Sequence, residues 1–175
     1  AKEYSKAVEV LKHACVYPEN LGEGKLSGTQ ENPINYYLGC TTQALGEEKE
    51  SREFFRKASV GLDEPASAVF YNDQPPETIF YQGTALLKLG EKERAQEKFN
   101  KLIRYGKKHL HEHIVIDYFA VSLPDFLIFD DDLDKKNEVH CRYLMGLGSL
   151  GLGRKADASD EFHRALRLDP NHQGV

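Results

Sequence analysis

The 175-residue chain predicts an all-α protein, a stack of helix hairpins carrying one non-repeat helical insertion. Internal similarity comes first. The segments "NYYLGCTTQALGEEKESREFFRKAS", "IFYQGTALLKLGEKERAQEKFNKLI" and "RYLMGLGSLGLGRKADASDEFHRAL" align in one frame without gaps, and self-similarity of this kind marks repeat architectures. Spacing inside the segments comes second. A first glycine (Gly39, Gly83, Gly146) is followed seven residues later by the glycine of Leu45-Gly46, Leu89-Gly90 or Leu152-Gly153; nine residues on stands Phe55, Phe99 or Phe162, and three further Ala58, Leu102 or Ala165. Apolar residues at helical spacing, a glycine suited to the left-handed position past a helix end, and a second helix with an inward phenyl describe a helix hairpin.

Taken in order, residues 1–20, with "EYSKAVEVLKHACVYPEN", read as the second helix of a further unit, placing Ala7, Leu11 and Ala14 in the repeat frame. Its first helix is missing and there is no initiator Met, so the chain reads as an excerpt of something longer. Residues 32–63 form the first complete hairpin and residues 76–107 the second. Between them "GLDEPASAVFYNDQPPE" is rich in turn formers and reads as a loop ahead of Pro75-Pro76. A glycine inside each first helix costs roughly 0.5 to 1 kcal/mol relative to alanine, a cost explained if the partner helix must approach closely there.

The insertion, 108–134, overlaps the stretch "HLHEHIVIDYFAVSLPDFLIFDDDLDKKN", residues 109–137. Its apolar content cannot be left in water, so one or two extra helices covering the array are expected near 109–134. The last hairpin, 139–171, ends in "ALRLDPN", where Asp169-Pro170 stops the helix.

These residues resemble the tetratricopeptide repeat, a family of stacked helix-turn-helix units. The third hairpin carries the fullest motif, with Gly146, Gly153, Ala158, Phe162, Ala165 and Pro170; Ser51 and Leu102 depart from it in the first two, and neither of those keeps the terminal proline. The resemblance implies a right-handed superhelix. More particularly, "YPENLGEGKL", "YYLG", "LPDFLIFDDDLDKKN" and "ALRLDPNHQG" are similar to the C-terminal helical region of bacterial proteins whose N-terminal part is a β-sandwich domain of unknown function. That likeness implies a carbohydrate-related parent, and no catalytic residue is carried over by it.

Charge and composition exclude several classes. With 23 basic against 28 acidic residues and a net charge of -5, neither a general nucleic-acid affinity nor an anionic membrane surface is expected. No apolar run reaches the roughly 20 residues that span a bilayer. Cys15, Cys40 and Cys141 are odd in number and scattered, which fits thiols of a reducing compartment and a cytoplasmic location.

Three motifs mimic ligand sites. Gly146, Gly148 and Gly151 have the spacing of a dinucleotide fingerprint, with Asp169 near the place of its acid. No strand-helix-strand unit surrounds them, so Gly146 and Gly153 read as repeat glycines and the other two as coincidence. His109, His111 and His113 alternate, which on a helix turns successive imidazoles to opposite sides; they read as solvated or capping. Asp130, Asp132 and Asp134 open like a calcium loop, but Lys135 stands where glycine is needed and Cys141 where a bidentate glutamate belongs. The run reads instead as charge at a helix N-terminus. No cofactor, metal or catalytic residue is expected, and the chain reads as a non-enzyme.

The family's geometry implies a concave groove lined by Tyr36, Cys40, Gln43, Phe80, Thr84, Leu87, Lys88, Tyr143, Leu147 and Leu150. Tyr36, Phe80 and Tyr143 give an aromatic at every turn of the stack, suited to anchoring a partner. They suit packing against neighbouring hairpins or the insertion equally well. The expected partner is a protein or peptide, including the N-terminal domain of the parent chain; an accessory role in a carbohydrate-active enzyme and self-association into a homodimer are the alternatives.

Overall fold

The computed structural model describes residues 3–18, 20, 22, 24–25, 29–68, 75–115 and 132–175. These contain seven helices and no strand: α1 (Tyr4–Ala14), α2 (Asn32–Ala44), α3 (Glu48–Ala58), α4 (Glu77–Leu89), α5 (Lys92–His109), α6 (Leu133–Gly151) and α7 (Lys155–Leu168). The three aligned segments are the hairpins α2/α3, α4/α5 and α6/α7, and the all-α class holds. None of these helices is long and apolar enough to cross a membrane.

Each hairpin turns on the same device. Gly46, Gly90 and Gly153 have φ of 84°, 89° and 74°, a left-handed backbone that only glycine adopts without strain. It folds the chain so that the amides of Glu47, Glu91 and Arg154 donate back to Thr42, Leu86 and Ser149 at 3.0, 2.9 and 2.9 Å. This is the C-terminal bond of a Schellman motif and leaves the next helix one residue away.

The expected close approach is present at all three in-helix glycines. A Cβ on Gly39 would lie 2.6 Å from the Phe55 ring and one on Gly83 2.5 Å from Phe99, while Gly146 meets Phe162 in the same way. Phe55 and Phe99 are buried, as are Ser51, Ala95 and Ala158 one turn earlier and Ala58, Leu102 and Ala165 one turn later.

Gly148 and Gly151, read from the sequence as coincidence, have a structural cause. Both lie inside α6 and face the preceding hairpin: a Cβ on Gly148 would lie 2.6 Å from the Phe99 carbonyl oxygen, and one on Gly151 would meet the Phe99 ring. From the other side, Gly106 admits the Cys141 carbonyl, 2.6 Å from where its Cβ would be. A side chain at Gly148 would press on backbone held in the middle of α5, so Gly148→Ala is expected to destabilise. Overpacking costs about 1–3 kcal/mol and the helical gain of alanine over glycine returns up to about 1. A lowered urea midpoint at unchanged slope checks this; an unchanged midpoint refutes the close seam.

Helices contact their sequence neighbours throughout, and the first helices also meet each other, α2 with α4 and α4 with α6, while the backbones of α3, α5 and α7 do not approach one another closely. Side chains of the first helices tie down the ends of the second. Asn32 Nδ2 donates to the carbonyls of Ala58 and Val60, both at 2.7 Å, and Asn137 Nδ2 to that of His109 at 2.7 Å, satisfying carbonyls left open by a helix end. The segment 59–68 crosses onward. Gln82 Nε2 donates to Leu62 O and His140 Nε2 to Ala66 O, each at 2.8 Å, and Lys98 pairs with Asp63 at 2.7 Å.

The helix α5 runs to His109, two residues past the end expected for the second hairpin, and residues 110–115 are not helical. Residues 116–131, where the extra helices were expected, lie outside the described residues. The helix α6 starts at Leu133, ahead of the expected 139, because Asp132 caps it, its Oδ1 accepting from the Lys135 amide at 2.9 Å. Asp134 accepts from the Ile114 amide at 2.7 Å and pairs with His113 at 2.7 Å. The acidic run thus acts at a helix N-terminus, while Asp130 falls outside the described residues.

Candidate functional site

The residues expected to line a groove divide into three groups. Tyr36, Phe80 and Tyr143 each stand one turn before an in-helix glycine and pack on the phenyl that glycine admits. The ring centroids are 5.9 Å apart for Tyr36 and Phe55, 6.0 Å for Phe80 and Phe99, and 6.1 Å for Tyr143 and Phe162. This recurrent pair favours the packing reading for all three, although Tyr36 and Phe80 keep part of their surface.

The second group sits beneath other chain. Tyr143 is 2% exposed and Leu147 5%. The Tyr143 hydroxyl donates to Glu77 on α4 at 2.7 Å. Over it lies the end of the chain, with the His172 ring 4.7 Å from the Tyr143 ring and Val175 packed against the cluster of Ile79, Leu102, Tyr143, Leu144 and Leu147.

The third group is open. Lys88 is exposed, Leu87 and Leu150 are each 42% exposed, and Cys40, Gln43 and Thr84 are half-buried. Lys88 Nζ donates to Gln43 Oε1 at 3.2 Å, joining α4 to α2.

Two tyrosines that the sequence reading did not choose complete the open surface. Tyr37 is 47% exposed, its hydroxyl lies 2.9 Å from that of Tyr81, and the rings of Tyr36, Tyr37 and Tyr81 stand 5.4 to 5.6 Å apart. Each of Tyr37 and Tyr81 follows a repeat aromatic by one position. Beyond the "YY" and "FY" pairs at corresponding places, no signal in the sequence marked them.

Electrostatically this face sets phenols among charges of both signs: Glu3 and Lys6 line the surface next to Tyr37, Glu77 acts on Tyr81, and Lys88 pairs with Gln43. Burial, reinforced by Cys40, pushes the Tyr36 phenol up to about 12. Burial also raises Tyr81, with the Tyr37 hydroxyl adding to it. Neither is an anion near neutral pH, so the face offers ring edges and hydroxyl donors and acceptors, flanked by charges of both signs.

Elsewhere, Cys141 is buried and its thiol is pushed up to about 12 by that burial, which keeps it protonated and unreactive. All three cysteines are free, Cys15 and Cys40 half-buried. His109 stacks on Tyr105 at 4.3 Å and pairs with Glu112 at 2.5 Å, while His111 is exposed. Among the described residues no three His, Cys, Asp or Glu side chains converge as metal ligands. The glycines of the dinucleotide-like spacing are packed on phenylalanine and isoleucine side chains and a backbone oxygen. No family model matches the chain.

Proposed function

We propose that this chain is a non-catalytic interaction module, a right-handed superhelix similar to tetratricopeptide arrays, that binds a peptide or a neighbouring domain of its parent protein. Close backbone approach of α2 to α4 and of α4 to α6, against none among α3, α5 and α7, supports placing the first helices on the inner side of the curve.

The observation that carries the reading is the open tyrosine cluster of Tyr36, Tyr37 and Tyr81 beside the Lys88–Gln43 pair. Large, stiff rings with a polar tip give contact area at low entropic cost, and aromatics dominate binding hot spots.

Selection of a random peptide library on the intact protein tests it. Tyr37→Ala, which removes an exposed ring without touching a hairpin phenyl, is expected to weaken selected peptides about tenfold or more, the effect of losing a hot-spot contact of at least about 1.4 kcal/mol. Circular dichroism should stay unchanged. Selected peptides that bind Tyr37→Ala and Lys88→Ala as tightly as the intact protein would reject this face.

A further inference from the structure

Near its end the chain docks a short stretch of itself on α4 and α6, and the geometry of that seat is specific. Past α7, Asp169 turns the backbone: its side chain accepts from the Asn171 amide at 3.0 Å and its carbonyl from the His172 amide at 3.2 Å. His172 then lays its ring 4.7 Å from that of Tyr143. Gly174 crosses the phenol so closely that a Cβ there would lie 2.5 Å from Tyr143 Oη, 2.6 Å from Cζ and 3.1 Å from Glu77 Oε1. Val175 reaches the apolar cluster of Ile79, Leu102, Tyr143, Leu144 and Leu147.

We propose that the Glu77–Tyr143 face is a peptide-binding subsite for an extended segment of the pattern ring, any residue, glycine, branched apolar residue, and that His172–Val175 fills it as a displaceable intramolecular occupant. The proposal rests on the interaction-module reading and specifies a second, closed end of the same inner face.

The three contacts define the occupant. The ring position is a flat apolar surface offered by Tyr143. The glycine position is steric, since the phenol is fixed by its bond to Glu77 and packed on Phe162. The apolar position completes the cluster. The resident is not the best possible ligand: His172 Nδ1 is buried without a hydrogen-bond partner among the described residues, and an unsatisfied buried nitrogen costs about 1–3 kcal/mol. A segment with a phenyl at that place keeps the tilted ring contact and has no nitrogen to satisfy. What holds the resident is connection to α7, since a tethered segment acts at an effective concentration on the order of millimolar.

The test uses fluorescein-labelled Asp-Pro-Asn-His-Gln-Gly-Val and fluorescence anisotropy. Protein lacking residues 171–175 should bind this peptide, and the 175-residue chain at least about tenfold more weakly because its own segment competes. The peptide with phenylalanine for the histidine should bind the tail-free protein about tenfold tighter, and the one with alanine for the glycine at least about tenfold more weakly. Gly174→Leu in the 175-residue chain expels the segment without removing it and should raise peptide binding in the same way.

Absence of binding to either variant while circular dichroism shows intact helices overturns the proposal. So does equal binding of the glycine and alanine peptides. Loss of helicity in both variants overturns it too, since the tail would then be an indispensable part of the core. The tyrosine cluster on α2 and α4 is read by separate substitutions, so failure here leaves that reading standing, and failure of Tyr37→Ala to weaken selected peptides leaves this one.

Discussion

Phe99→Ala is expected to lower the unfolding free energy by about 3–5 kcal/mol, the range for emptying a phenylalanine site that cannot collapse. Phe99 is fully buried and serves two hairpins at once. On its own side the ring lies over Gly83, and on the other it meets Gly151 of α6, while its backbone oxygen abuts Gly148. Phe80, Leu86, Ala95 and Leu152 close around it. Backbone that has already approached to glycine distance on both faces has nothing with which to fill the void.

Phe162 covers only Gly146 and is partly exposed, so Phe162→Ala should cost distinctly less. Urea unfolding of both variants checks the order; equal losses would show that the two-sided seat of Phe99 has no energetic meaning. Coupling provides a finer check. Gly151→Ala should destabilise the parent protein, where its methyl meets the ring, and be tolerated in the Phe99→Ala background, where the opposing atoms are gone.

Acid is expected to weaken the protein through His140. This imidazole is buried, and its pKa falls from 6.5 to about 4, chiefly because burial penalises the charged form; the Ala66 carbonyl opposes the shift, and the His172 and His109 rings add to it. Between those two values the unfolded chain binds a proton that the folded chain does not. The stability held above about pH 6.5 is therefore lost progressively as the pH falls toward 4. At pH 4.5 the loss from this group is about 2–3 kcal/mol, at 1.36 kcal/mol per unit.

Glutamine at 140 can still donate to Ala66 O but does not titrate. Thermal unfolding of His140→Gln at pH 7 and pH 4.5 should therefore show a smaller acid shift than the parent, by roughly 2–4 °C for each kcal/mol in a chain of this size. Identical shifts in the two proteins would mean that His140 is not held neutral.

The local half of this architecture could be read without coordinates. Gly46, Gly90 and Gly153 were recognisable because a tight helix-to-helix turn requires a left-handed residue, and Phe55, Phe99 and Phe162 because each returns to a glycine on its own hairpin. What joins one hairpin to the next was not legible. Gly148 and Gly151 imitate a phosphate loop until their neighbours on α5 are known, and Asn32, Gln82, Asn137 and His140 are ordinary polar residues until a distant carbonyl is placed beside them.

For the binding surface the sequence supplied position without exposure. The resemblance to tetratricopeptide repeats implied a common side for Tyr36, Phe80 and Tyr143, but a neighbouring phenyl and the segment 172–175 decide how much of each ring remains. Tyr37 and Tyr81, adjacent in sequence to two of these, hold the contact between hydroxyls.

The crossing segment after α3 also bears on how the molecule comes apart. A row of helix pairs that touch only their neighbours behaves as a one-dimensional array, able to fray from either end one unit at a time. Here Ala66, from the connection leaving the first pair, is held by His140 of the third, and Asp63 by Lys98 of the second. Melting the first pair therefore releases a bond in each of the others, a coupling that nearest-neighbour contacts alone would not provide.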